Sequence, residues 1–397
     1  MKSLKALQAA LEKWMQDADR GRFFSPRTIL VGLGKVYGGA MALRADLYRR
    51  GVLATRRLPC KVVSVGNLTL GGTGKTPTTM ELARRIHAMG WRVAVVSRGY
   101  RGSAEDRGAV VSDGRRLLLS AAEAGDEPCL IARRLPGVPV VVGKDRWAAG
   151  MTAVQRFSSQ VVILDDGFQH LRLNRDLDLL LFDAQAPLGN GRVFPGGRLR
   201  EPSRAARRCD AVVRVSRGAG PEGGALNRPD GMADRPHFNL TLKAYPVAVL
   251  YGGADDPTAI PAAAFLAGRC CIAFSGIADN ARFFDDVRRL GGEVAECFGF
   301  RDHHPYRRRD IDQVLAAARR TGAGCLVTTA KDAVRLEAFG PLAFPLVVID
   351  LAPVWSDGGK GIQAFLDRRL GRSGSLESTH GAGDVRDGFP PSSSNVP

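Results

Sequence analysis

Lys75 and Thr76 open a helical pattern immediately after the glycine-rich turn Gly71-Gly72-Thr73-Gly74, which itself follows the apolar run Val62-Val63-Ser64-Val65. Strand, glycine-rich turn and helix in that order make a phosphate cradle. The glycines let successive backbone N–H groups turn inward around an anion, and the helix presents the positive end of its dipole. Lys75 then reaches the β and γ phosphates of a nucleotide, and the Thr76 hydroxyl holds Mg2+. The turn departs from the G-x-x-x-x-G-K-[ST] spacing at its first glycine, where this chain has Thr69. ATP and Mg2+ are the expected cofactors, with Gly71, Gly72, Thr73, Gly74, Lys75, Thr76 and Pro77 as nucleotide-contacting positions.

Farther along, Val161-Val162-Ile163-Leu164 ends in Asp165-Asp166, the Walker B arrangement in which a buried strand delivers carboxylates to the metal beside the phosphates. Gly167-Phe168-Gln169-His170 follows at once. An amide and an imidazole suit a site there, and His170 suits equally well a role orienting Asp165 or Asp166. Gly125-Asp126-Glu127-Pro128 sets adjacent carboxylates at a predicted helix start, which has two readings. Acidic residues there complement the helix dipole. A carboxylate is also the base that a kinase acting on an alcohol requires, the Walker B acids being committed to metal. Phe300-Arg301-Asp302-His303-His304-Pro305-Tyr306 groups two histidines with an acid and an aromatic between a predicted strand and helix. Its spacing does not support a metal site, and hydrogen bonding is the commoner use of such a pair.

Positioning these groups requires a layered scaffold, and the chain alternates short β-rich runs with helical patterns. Strands are predicted at 62–65, 92–97, 138–142, 161–164 and 177–182, with helices at 76–89 and 145–157. A Gly/Pro/Asp/Arg-rich interval at 217–236 reads as a surface excursion, and 243–251 as an extended return. A second set follows, with strands near 271–274, 293–298, 325–328 and 346–349 and helices near 280–290 and 310–321. The fold class is α/β: a P-loop NTPase core with a parallel sheet, a smaller C-terminal α/β domain and N-terminal amphipathic helices. The expected division is 1–55 for those helices, 56–242 for the core, 243–268 for an extended linker, 269–371 for the smaller domain and 372–397 for a disordered Ser/Gly/Pro-rich tail.

Of the 397 residues, 57 Lys and Arg against 40 Asp and Glu leave a net charge of +17. Such a surface favours polyanions, whether nucleic acid, an anionic membrane face or a phosphorylated substrate, or it is solvated basic surface and nothing more. The seven cysteines form no C-x-x-C pair, and no signal-peptide pattern opens the chain, so reduced thiols in the cytoplasm are expected. At the N-terminus Leu4, Leu7, Leu11 and Trp14 recur at helical spacing beside Lys2, Lys5 and Lys13. Leu33, Val36, Ala40, Leu43 and Leu47 share a second apolar face, interrupted by Lys35 and closed by Arg44, Asp46, Arg49 and Arg50. That stretch falls short of the ~20 apolar residues a bilayer span needs, which leaves either an interfacial helix or one packed on the protein's own core.

Taken in order, VGNLTLGGTGKTP, SRGYRG, GDEP, VVILDDGFQH, FPGGRLREP, FSGIADNARFF and FRDHHPY closely resemble the tetraacyldisaccharide 4′-kinase family of lipid A biosynthesis, over approximately 25–355. The resemblance implies transfer of the ATP γ-phosphate to the 4′-hydroxyl of a tetraacyldisaccharide 1-phosphate, at the cytoplasmic face of the inner membrane. Partners are then an acylated disaccharide 1-phosphate and an anionic membrane surface, not nucleic acid, and a monomer is expected. Residue by residue, it implies that Lys75 and Thr76 contact phosphate and Mg2+, that Asp165 and Asp166 are the acidic pair, and that Asp126 is the base. His303 is its implied partner from the second domain, and Glu127 a neighbour tuning base or metal. Asn67, Arg98, Tyr100, Gln169, His170, Arg200 and Glu201 fall at the implied substrate positions. In TTAKDAVRL, Ala330 stands where an acid is expected, so that acid's role is not inherited. A P-loop partitioning ATPase is the alternative class, but its second lysine before the paired glycines is Leu70 here. A kinase of a soluble sugar or cofactor precursor is the third.

Overall fold

The computed structural model describes residues 26–218, 232, 234–250 and 261–371. The first amphipathic stretch around Leu4 and Trp14, most of the 217–236 interval and the polar tail lie outside the described residues. Strands β1 (Lys61–Asn67), β2 (Val93–Ser97), β3 (Ala109–Ser112), β4 (Val140–Val142), β5 (Val161–Asp165) and β6 (Leu177–Asp183) come first. They are followed by β7 (Ala211–Arg217), β8 (His237–Leu250), β9 (Cys270–Ser275), β10 (Glu293–Gly299), β11 (Cys325–Thr329) and β12 (Leu346–Trp355). All 12 join one sheet in the order β10-β9-β11-β12-β8-β7-β6-β1-β5-β2-β4-β3.

Pairing is parallel throughout except for β3 with β4 and β8 with β12. Parallel strands covered on both faces read as continuous apolar runs rather than alternating ones. That is why Val62, Val63 and Val65 of β1 and Val161 to Leu164 of β5 are all buried. Register sets Val65 opposite Asp165, so β1 and β5 deliver the start of the glycine-rich turn and the first acidic residue to the same edge. Ligands of open α/β sheets bind at that carboxyl edge.

The larger lobe is built on β1 to β7 and the smaller on β9 to β11, and the long antiparallel pair β8–β12 runs through both. One boundary differs from the sequence expectation. The helix Lys360–Leu370, placed by sequence in the smaller unit, packs Ile362, Phe365, Leu366 and Leu370 into one core with Ile86 and Trp91 of the larger lobe. Trp91 Nε1 also donates to Gly371 O at 3.3 Å. The chain therefore crosses between lobes through β8 and returns through β12. Strands β3 and β7 were not read from sequence; the arginines Arg214 and Arg217 interrupt the apolar run of β7, and β3 is only four residues long.

Before this sheet lies the helix Pro26–Arg49. Gly34 and Gly38, one turn apart, face the segment around Val193; a Cβ on Gly34 would stand 2.4 Å from Val193 O. Close backbone approach is thus what the glycines permit. The opposite face is exposed: among the described residues Ile29, Leu33, Val36 and Leu43 are 53–73% exposed. Arg44 reaches inward from the same helix and donates to Gln169 O at 3.3 Å.

Candidate active site

The glycine-rich turn is forced into its shape by Gly74 and by three side chains that brace it. Gly74 has φ +80°, and a Cβ there would meet Leu242 Cδ1 at 2.6 Å, so only glycine serves. Asn67, buried at the end of β1, pins the turn from inside: its amide nitrogen donates to Thr69 O at 2.8 Å and Thr73 Oγ1 at 2.6 Å, while Oδ1 accepts from Lys75 Nζ at 3.2 Å. From outside, Arg198 Nη2 donates to Leu70 O at 2.9 Å and Arg217 Nη2 to Gly72 O at 2.8 Å. Asn67 thus braces the cradle rather than facing a sugar.

Asp165 is buried, accepts from Thr79 Oγ1 at 2.9 Å, and lies 3.4 Å from Thr76 Oγ1. Burial, with Glu127 and Asp166 nearby, pushes its carboxyl up to about 7. For Asp166 burial acts the same way, but Lys75 and Arg200 overcome it and hold that carboxyl below the usual range. Arg200 Nη1 binds both Asp166 oxygens at 2.8 and 2.9 Å, and Lys75 Nζ lies 3.7 Å away.

These contacts test the metal expectation. Thr76 and Asp165 offer adjacent hard oxygen donors. Among the described residues no group of three or more His, Cys, Asp or Glu forms a self-contained metal site. The Thr76–Asp165 pair by itself suits Mg2+, which takes one or two protein oxygens and completes its shell with water and substrate phosphates. Asp166 and Glu127 depart from the expectation, because cations already occupy them: Arg200 and Lys75 on the one, Lys331 Nζ at 2.8 Å from Oε1 on the other.

Glu127 and Asp126 open the helix Asp126–Arg134 of the larger lobe, the helix-start position expected from sequence, and meet Lys331 and Arg335 at the cleft between the lobes. Across it, His303 Nδ1 lies 3.0 Å from Asp126 Oδ2. Burial would raise the Asp126 carboxyl, but the His303 hydrogen bond and the Arg335 charge hold it below its ordinary value. An ionised carboxylate only accepts, so Nδ1 carries the proton of this pair. His303 has φ +54°, uncommon for a residue with a side chain, and its surroundings hold it there. Arg101 Nη1 donates to its carbonyl at 3.1 Å, Lys331 Nζ stands 3.4 Å from Nε2, and the Tyr100 ring meets it edge-on at 5.7 Å.

The other sequence-selected residues divide. Gln169 joins the site, donating to Asn67 O at 2.9 Å and lying 3.3 Å from Arg200 Nη1. Arg98 is half-exposed and bound to Glu105 at 2.6 Å. Glu201 is not a substrate contact in this arrangement: it is buried and gripped by both terminal nitrogens of Arg208 at 2.9 and 3.0 Å, an anchor for its segment. His170 keeps a buried Nε2 without a partner, and burial pushes its pKa down to about 4, so the ring is neutral. Missing from the sequence reading were Thr79, Arg146, Lys331 and Arg335. Buried Arg146 follows β4, donates to Gly143 O at 2.7 Å and feels the charges of Asp166 and Asp165. A charged residue just past the carboxyl end of a strand was the available signal for it.

Residues 26–370 match the family described as tetraacyldisaccharide-1-P 4′-kinase, LpxK. The chain belongs to that family. Among its relatives, a tetraacyldisaccharide 4′-kinase of Geobacter metallireducens is 46% identical over 321 residues, 81% of this chain and 91% of that protein. Another, from Desulfatibacillum aliphaticivorans, is 40% identical over 377 residues, 92% and 99% of the two chains. The crystal structure of LpxK from Aquifex aeolicus in complex with ATP shares the fold at TM-score 0.67 and 30% identity, covering 87% of this chain and 99% of that one. The LpxK family and its α/β fold are thus those expected from the ordered sequence motifs.

The raised pKa of Asp165 has a consequence for stability. In the unfolded chain this carboxyl ionises near 3.8 and in the folded one at about 7, so between those values burying an ionised form is avoided only by binding a proton. Stability from this group is full below the unfolded pKa and lost as pH rises through the folded one. Asp165→Asn is therefore expected to raise the thermal midpoint of the nucleotide-free protein more at pH 8 than at pH 5. Equal shifts at the two pH values would contradict the assignment.

Proposed function

We propose that this chain transfers the γ-phosphate of ATP to the 4′-hydroxyl of a tetraacyldisaccharide 1-phosphate, giving the bis-phosphorylated lipid A precursor at the cytoplasmic face of the inner membrane. Family membership supports the reaction, and one geometric observation carries the mechanism. Asp126 of one lobe and His303 of the other form a hydrogen-bonded pair beside the phosphate cradle, with Glu127 close enough to interact electrostatically with both Lys75 and Asp165.

In this reading the turn N–H groups and Lys75 hold the nucleotide phosphates. Thr76 and Asp165 would hold Mg2+, which when bound neutralises charge on the transferring phosphoryl group. The contacts of Asp126 with His303 and with Arg335 both fall on Oδ2, leaving Oδ1 to take the proton from the sugar hydroxyl. The sugar oxygen forms its bond to the γ phosphorus as the bond to the β–γ bridging oxygen breaks, and ADP leaves. Arg200 and Gln169 stand at the edge of this site, and Tyr100 lines it against His303. The test compares ATP-dependent labelling of the acylated disaccharide 1-phosphate with labelling of its deacylated sugar and with DNA-stimulated ATP hydrolysis. Labelling confined to the acylated substrate supports the proposal; DNA-stimulated hydrolysis without it supports a partitioning ATPase.

A substrate carrying acyl chains also gives the helix Pro26–Arg49 a role. Among the described residues no helix is long and apolar enough to cross a membrane. The exposed Ile29, Leu33, Val36 and Leu43 with the +17 charge suit peripheral insertion into an anionic interface by a monomer. Replacing Leu33, Val36 and Leu43 together by Asp is expected to abolish flotation of the full-length protein with anionic liposomes, while turnover of detergent-dispersed substrate changes less than about threefold. Undiminished flotation would remove the helix from membrane binding.

A further inference from the structure

The helix Ala330–Leu336 lies across the cleft from the helix Asp126–Arg134, and its first and last turns offer Lys331 and Arg335 to Glu127 and Asp126. Residues four apart share a helix face, so the two cations meet the two adjacent carboxylates together. Arg335 does more than neutralise charge. Its Nε is 3.2 Å from Asp126 Oδ2; Nη1 donates to His304 O at 2.9 Å, and Nη2 to Gly276 O at 3.2 Å. The Gly276 carbonyl also accepts from His303 N–H at 3.1 Å. The loop carrying His303 is thereby held from both sides by the guanidinium that touches the base.

Arg335 is itself held rigidly. Its Nη2 lies 3.0 Å from Asp332 Oδ1, and Asp332 is wholly buried. That carboxylate accepts in addition from Tyr306 O–H at 2.9 Å, Gly276 N–H at 3.0 Å and Thr329 Oγ1 at 2.6 Å. The Tyr306 ring lies beneath the guanidinium carbon at 5.6 Å. Both terminal nitrogens donate to backbone carbonyls while Nε, which makes no hydrogen bond, faces Asp126 as an ion pair, a planar spread of contacts that a lysine ammonium cannot reproduce.

We propose that Arg335 is a positioning residue for phosphoryl transfer, fixing Asp126 and the His303 loop against one another across the two lobes. The inference rests on the reading of Asp126 as the base. It assigns Lys331 the companion role at Glu127. Arg335 touches neither nucleotide nor sugar in this scheme; it acts through Asp126.

The test uses the full-length enzyme with Arg335→Gln, Arg335→Lys, Asp126→Asn and the Asp126→Asn/Arg335→Gln pair. Arg335→Gln is expected to lower kcat about 100-fold, the cost of a misplaced catalytic group, while ATP affinity changes less than about threefold. Arg335→Lys keeps the charge but loses the fork, and is expected to recover about tenfold of that loss. In the Asp126→Asn background Arg335→Gln is expected to change the residual rate less than about twofold, because its target is already gone. An Arg335→Gln enzyme with kcat within about threefold of wild type, or an equal loss in both backgrounds, would overturn the proposal. If Arg335→Gln shows no cooperative thermal transition, the lysine variant decides: undiminished kcat overturns the proposal, and about a tenfold loss supports it. Full activity in Asp126→Asn would instead sink the base assignment on which all of this stands.

Discussion

Asp126→Asn is expected to bind ATP normally and to lose turnover by about 10²- to 10⁴-fold, the range in which removal of a general base falls. The substitution keeps the size and the hydrogen bond that His303 Nδ1–H can donate, and removes the charge that accepts the sugar proton. ATP binding is spared because, among the described residues, Asn67, Gly74 and Lys75 of the cradle share no hydrogen bond or ion pair with Asp126. His303 and Arg335 hold the Asp126 carboxyl below its ordinary range against the opposing effect of burial. A base so held is ionised at neutral pH, and its contribution to the rate is lost only as pH falls through that lowered value. Steady-state kinetics beside nucleotide binding would check this; normal turnover in the variant removes Asp126 from the role.

Lys75→Met is expected to lower kcat/KM for ATP by about 10²- to 10³-fold, the usual cost of deleting one preorganised charge aimed at the transferring group. Lys75 is positioned by Asn67 Oδ1 and Asp166, so its ammonium is aimed rather than free to wander. Losing it also removes one of the two cations in direct contact with Asp166, leaving Arg200 there, which adds repulsion toward the phosphates. A variant with kcat/KM within about threefold of wild type would contradict the cradle reading, since the N–H groups of the turn would then suffice.

Much of this site was legible because its chemistry is local. The run Val62 to Thr76 encodes a buried strand, a turn that only glycine can make at Gly74, and a helix start, and each is a short-range signal. The apolar strand before Asp165 is the same kind of signal. Residues acting across the cleft were not legible by physics alone. Lys331 and Arg335 reach Glu127 and Asp126 over some 200 positions of sequence, and their helix of seven residues has an ordinary composition. The motif resemblance supplied His303 but not its supports. Glu201 illustrates the opposite error: a motif acid was assigned to the substrate, yet Arg208 stands within the same segment to bury and neutralise it. The last helix, Lys360–Leu370, was misplaced because linear order put it after the smaller unit, whereas β12 carries it back to the larger core.

The position of the transferred phosphate is read most directly from structural analysis of the product. Purified full-length protein with ATP, Mg2+ and a micellar tetraacyldisaccharide 1-phosphate is predicted to yield one new species, heavier by a single phosphate, with phosphorus–proton NMR coupling to H4′ of the distal sugar. Phosphate at any other position, or ATP consumed with the disaccharide unchanged, would contradict the account.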